Sequence, residues 1–146
     1  MKATRMWLGA AMALMLAGCA TGYHSAADPL RGFTGGYWDE PGPGELLKVG
    51  FAGNGYIDRE TITAYLMYHC AELAQQRHKP YFRVYSALSD AIRNRPVEVA
   101  TIGRVGGKLG DWVFVLFDDA QQAGDLATDA TLARYASFLH SQEKQS

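Results

Sequence analysis

Between Leu47 and Phe51 apolar side chains alternate with polar or small ones, the period-two pattern of a half-buried strand. Gly53, Asn54 and Gly55 follow, residues that tolerate positive φ, so a turn closes the strand. The period then lengthens to that of a helix. Asp58 stands where an N-cap would, and Ile57 and Ile62 have the spacing of a hydrophobic staple. A helix is therefore predicted to run to about Arg77, where Lys79-Pro80 ends it. Tyr81 to Tyr85 reads as a second strand with Phe82 and Val84 on one face, and Ser89 to Asn94 as a short helical turn. Val97, Val99 and Thr101 alternate with Glu98, Ala100 and Ile102, which predicts a third strand. Gly106-Gly107 signals a hairpin, and the nearly continuous apolar run Trp112 to Phe117 predicts a strand that is central or covered on both faces. Asp118 to Asp125 reads as loop. Ala130 to His140 carries Leu132, Tyr135, Ala136 and Leu139 at helical spacing, with Thr128 or Asp129 as cap. The predicted order β-α-β-β-β-α describes an α+β domain of about four strands with two helices on one face. If the first two strands are adjacent and parallel, their crossover is right-handed.

The flanks break these patterns. Residues 20–45 hold six glycines and three prolines, which argues against a helix or a central strand. The expected organisation is a leader over 1–18, a tether over 19–45, one domain over 46–140 and a frayed tail over 141–146. As a free coil the tether would span on the order of 28 Å. Tyr23, Phe33, Tyr37 and Trp38 are unusual in a linker. Phe33 to Trp38 is expected to fold back onto the domain; the other readings are an aromatic platform for a sugar or a partner, and disorder. With 14 basic, 15 acidic and 48% hydrophobic residues in 146, the chain suits one modest core. It has no basic excess that would point to nucleic acid.

Lys2 and Arg5 precede the uncharged apolar run Met6 to Leu16, too short for the ~20 residues of a membrane span but suited to a secretory leader. Leu16-Ala17-Gly18-Cys19 then resembles the lipobox of bacterial lipoproteins. The resemblance implies cleavage between Gly18 and Cys19, a diacylglyceryl thioether on the Cys19 sulfur, a further amide-linked acyl chain, and a membrane partner engaged through those chains. Ala20 is similar to the outer-membrane default, where Asp would favour inner-membrane retention, so the expected location is the periplasmic face of the outer membrane. With Cys19 acylated, Cys70 is the remaining thiol and no intramolecular disulfide forms. A free thiol in an oxidising compartment is expected to be buried.

The chemistry offered by "AGNGYIDRETITAYLMYHCAELA" (52–74) is limited. At about 100° per residue, Ile62, Leu66, Cys70 and Leu73 share one apolar arc, and His69 falls at its edge with Tyr65, Glu72 and Gln76. His69 is thus expected at the surface or rim. It points about 100° from Cys70, so the two do not readily hold one metal; His69 and Glu72 offer two ligands without a third. The glycines before the helix lack the phosphate-loop spacing and no Gly-Lys-Ser/Thr follows, so a tight turn is the better account. No catalytic motif is present, and the expectation is a protein that is not an enzyme and carries no metal or cofactor. Asp118-Asp119, the one carboxylate pair in a site-like position, supports the rival reading of an envelope hydrolase acting on cell-wall material.

Gly36-Tyr37, Phe51-Ala52-Gly53-Asn54, Tyr65-Leu66-Met67-Tyr68 with Ala71-Glu72-Leu73, and Tyr81-Phe82-Arg83-Val84 form a series. Through it residues 33–85 resemble an uncharacterised family of small proteobacterial lipoproteins. The resemblance implies no activity, ligand or catalytic residue. His69-Cys70 departs from it, since relatives tend to have arginine before the Ala-Glu-Leu. The expected function is a periplasm-facing binding or scaffolding module with an envelope protein as partner.

Overall fold

A computed structural model describes residues 23–27, 35–54, 56–100, 103–105 and 108–143. Gly18, Cys19, the leader, Phe33, the Gly106-Gly107 turn and residues 144–146 lie outside the described residues. In chain order the elements are β1 (Gly36–Pro41), β2 (Leu47–Ala52), α1 (Arg59–Gln76), β3 (Tyr81–Tyr85), α2 (Leu88–Ile92), β4 (Gly103–Val105), β5 (Lys108–Asp118), β6 (Leu126–Ala127) and α3 (Thr128–Glu143). They form an α+β fold with a single antiparallel sheet in the order β1-β2-β5-β3-β6, β4 lying beside β5. The long strand β5 organises the sheet. One edge of it pairs with β2 over Gly110–Val115; the other pairs with β4 over Lys108–Gly110 and then with β3 over Phe114–Asp118. Because β5 runs between β2 and β3, those two are parallel but not adjacent, a split β-α-β unit.

Direct cross-strand pairs share a face. Val49, Val113 and Phe51 line up with Val115, Val84 and Phe82 on the side covered by α1 and α3, and together they make the core with Ile62, Leu66, Met67, Cys70 and Tyr135. The helix faces follow the predicted arcs. Asp58 caps α1, its Oδ1 accepting from the Thr61 amide at 2.7 Å, and Ile57 and Ile62 are both buried. A cap of this kind contributes about 1 kcal/mol. At the other end His78 adopts φ 55°, and the amides of His78 and Lys79 donate to Gln75 and Ala74. That is a Schellman closure built on a residue other than glycine.

The sheet departs from the expected four strands in three ways. β1 arises inside the stretch read as tether; its glycines and prolines are tolerated because it lies at the edge and Pro41 is its last residue. β6 is two residues long, below what periodicity can detect. The third strand is displaced. Val97 makes one bridge, its amide donating to Val84 at 2.8 Å, but 98–100 are irregular and the strand lies instead at Gly103–Val105. The outer edge of β3 explains this: β6 already occupies Tyr81 and Phe82, leaving room for one rung at Val84. A third helix, α2, shares a hollow with Tyr85 and Leu116, which point to the face opposite the core.

Two glycines are required by close approach. Trp38 lies across Gly50 on the open face, where a Cβ would sit 2.2 Å from the indole. Gly36, at φ +131°, would place a Cβ 2.4 Å from the His24 carbonyl oxygen. That carbonyl belongs to a strap, residues 23–27, which adds one parallel rung outside β1: the Ala26 amide donates to the Tyr37 oxygen and the Tyr37 amide to the His24 oxygen, both at 2.8 Å.

Candidate functional site

The strap and β1 change the surroundings of His69. The helical wheel puts it at the rim of the apolar arc, and there it is, yet the residue is only 4% exposed. The expectation of a surface or rim histidine is corrected by what lies on top of it. Tyr37, from β1, stacks on the imidazole with centroids 4.0 Å apart at 27°. Tyr23, from the strap, packs against Tyr37, Tyr65 and Tyr68 at 4.9, 5.4 and 5.4 Å. Its hydroxyl donates to Glu72 Oε2. His69 Nδ1 lies 3.4 Å from that carboxylate, and Nε2 lies 3.5 Å from Asp39 Oδ1, though it is buried without a directed hydrogen bond. The result is one imidazole between two carboxylates, walled by phenols. Burial first, and then the hydrogen bond and charge of Glu72, push the Tyr23 phenol well above its ordinary range. Burial and Glu72 also raise Tyr37 and Tyr68. Tyr23 is a donor, and all three rings are packing surfaces.

Asp39 and Glu72 address opposite ring nitrogens, so the imidazole cannot share one ion with both. No group of three metal-binding side chains occurs among the described residues. Cys70, one position along, faces the core and is fully buried; burial pushes its thiol upward, away from the thiolate needed for nucleophilic or metal chemistry. The neighbouring pair therefore divides its work, His69 facing the strap and Cys70 the interior. Tyr23 and Asp39 escaped the helical wheel because they lie outside the helix; the excess of aromatics in a glycine-rich stretch was the available signal.

The N-terminus of α1 is not left vacant, because the Asp58 carboxylate takes the Thr61 amide and hydroxyl, and Gly55 lies outside the described residues. The adjacent acids at the end of β5 go to different bases. Asp118 is clasped by Arg83 through Nε and Nη2, each at 3.0 Å. Asp119 is 79% exposed and meets Lys79 at 2.7 Å. The network around Arg83 was not foreseen. Nη1 donates to Asn94 Oδ1 at 3.1 Å, Tyr85 donates to the same oxygen at 2.9 Å, and the buried Asp125 carboxylate lies 3.1 Å from Nε. Asp118 raises the already high pKa of Arg83. Both Asp118 oxygens are thus occupied by one guanidinium, an arrangement suited to joining strands rather than moving protons.

The described aromatics of residues 20–45 separate between faces. Tyr23 and Tyr37 cover His69, while Trp38 joins Trp112 on the open face, where the Lys48 ammonium lies 5.2 and 5.1 Å from the two rings and 2.8 Å from Glu40. Two hollows accompany these features: one of about 410 Å³ between α1 and α3, lined by Glu60, Val99, Arg134 and Phe138, and one of about 360 Å³ beneath α2. No helix among the described residues is long and apolar enough to cross a membrane. Comparison with protein-family models, curated proteins and solved structures finds no match to this chain.

Proposed function

We propose that the chain is a lipid-anchored cell-envelope protein, cleaved before Cys19 and carrying a diacylglyceryl thioether there. Its α+β domain then serves as a binding or scaffolding module for an envelope partner at the periplasmic face of the outer membrane. The observation that carries this reading is the order of Lys2 and Arg5, the apolar run Met6 to Leu16, and Leu16-Ala17-Gly18-Cys19. A single myristoyl-sized chain binds a bilayer with K about 10⁴ M⁻¹, roughly 5.5 kcal/mol. Two or three chains on one residue make detachment negligible. The resemblance of residues 33–85 to small proteobacterial lipoproteins supports the same reading. A non-catalytic role is favoured by the partners of the acidic residues: Asp118 and Asp119 are each held by a base, and Glu72 by a phenol. Expression of Cys19→Ser tests the anchor. It should abolish incorporation of labelled palmitate and leave the precursor uncleaved; undiminished labelling would refute the proposal.

A further inference from the structure

We infer that the sheet edge formed by residues 23–27 and β1 is the surface of the domain that rests against the phospholipid headgroups of the anchoring membrane. The inference rests on acylation of Cys19, as proposed above, and adds an orientation to it. Four residue steps separate Cys19 from Tyr23, and extended chain covers at most about 3.6 Å per step, so the reach is roughly 14 Å. Tyr23 is bound into the fold: it packs on Tyr37, Tyr65 and Tyr68, donates to Glu72, and is followed by two backbone hydrogen bonds to Tyr37. The 26-residue coil that would have lifted the domain by ~28 Å is therefore not available as slack, since its Tyr23 end is tied down close behind the anchor.

The domain is wider than this reach. From the strap across β1, β2, β5 and β3 to β6 there are five strand spacings of about 4.8 Å, which puts Ala127 roughly 24 Å from the strap. A domain held within ~14 Å of the headgroups at one edge keeps that edge beside them, nearer than the far edge. The strap edge faces the bilayer, and the β6 edge, with the groove between α1 and α3, faces away from it. Among the described residues Asp39, Glu40 and Glu72 lie at or beside the near edge, Glu40 paired with Lys48, so no basic excess faces the bilayer there. Charge therefore supplies no attraction to anionic lipid, and the anchor alone holds the contact.

Full-length lipidated protein in vesicles of phosphatidylethanolamine and phosphatidylglycerol provides the test. A photo-activatable residue replaces the exposed Ala27, or in separate samples Ala127 or Ala123 at the far edge, and lipid adducts are quantified by mass spectrometry. Position 27 should give about tenfold more adduct than either far position, unchanged by high salt. A twelve-residue Gly/Ser insertion after Thr21 should bring it down to their level. Equal adducts at both edges, or an insertion without effect, would overturn the orientation. The N-terminal peptide from the same sample separates the two ideas. A diacylated Cys19 with no preference between edges sinks the orientation alone, whereas an unmodified Cys19 sinks the anchor and the orientation with it.

Discussion

The Tyr23 hydroxyl makes a charge-assisted hydrogen bond to Glu72 while its ring roofs His69, so one side chain both satisfies a half-buried carboxylate and keeps water from a buried imidazole. Bonds of this type contribute ~1.5–3 kcal/mol, and Tyr23→Phe should lose about that much near neutral pH. The pH dependence is more diagnostic. The phenol of Tyr23 is raised by burial, whereas in the unfolded chain it titrates near pH 10. Below pH ~10 both states keep the proton and the contribution is constant. Above it the unfolded chain ionises while the folded one does not, so stability falls as pH rises, by up to about 1.4 kcal/mol per unit for each such group. Urea unfolding at pH 7, 10 and 11 should therefore show a shallower alkaline decline for Tyr23→Phe than for the parent. Identical slopes would mean that the phenol is not protected as described.

At the level of elements, the two ends of α1 illustrate different degrees of optimisation. Its start has a carboxylate cap and a buried staple. Its end places His78 in the left-handed region at φ 55°, a conformation that costs a residue with a Cβ roughly 1 kcal/mol. His78→Gly should raise stability by about that amount, read as an increase in the urea midpoint without a change in m-value. A neutral or negative result would show that the exposed His78 side chain contributes more than its backbone costs. The equivalent position after α2 holds Asn94, at φ 50°, and there the side chain has a use: its oxygen accepts from both Arg83 and Tyr85. Asparagine tolerates the left-handed region better than most residues, which reconciles the turn with the network. β1 shows why an element can be hidden in composition. Glycine at 36 admits the strap and glycine at 50 admits Trp38, so residues that weaken the strand signal are those the packing needs.

Across the whole molecule the Arg83 network binds β3, β5, the end of α2 and the loop before β6. Arg83 is 12% exposed and the Asp125 side chain fully buried, so Arg83→Ala strands two carboxylates and should cost ~3–5 kcal/mol. Lys79→Ala, whose partner Asp119 is mostly solvated, should cost under ~1 kcal/mol. Comparable losses in the two variants, measured by denaturant unfolding, would contradict this ranking.

Local signals were enough for α1, β2, β3 and α3, because each carries its own periodicity, and for the Trp112–Phe117 part of β5, through its apolar run: the burial of Phe82, Val84 and Cys70 follows from spacing along a single element. The carboxylate cap at Asp58 is local too. What the sequence could not decide was which distant segments lie side by side. That β5 enters between β2 and β3, that Val97 finds space for one rung, that Asp118 meets Arg83, and that Tyr23, Tyr37 and Asp39 bury His69 all depend on pairings between segments far apart in the chain. Periodicity reports the face a side chain presents. The neighbour on that face is chosen by sheet register and by the return of the chain, and these exist only once the fold has closed.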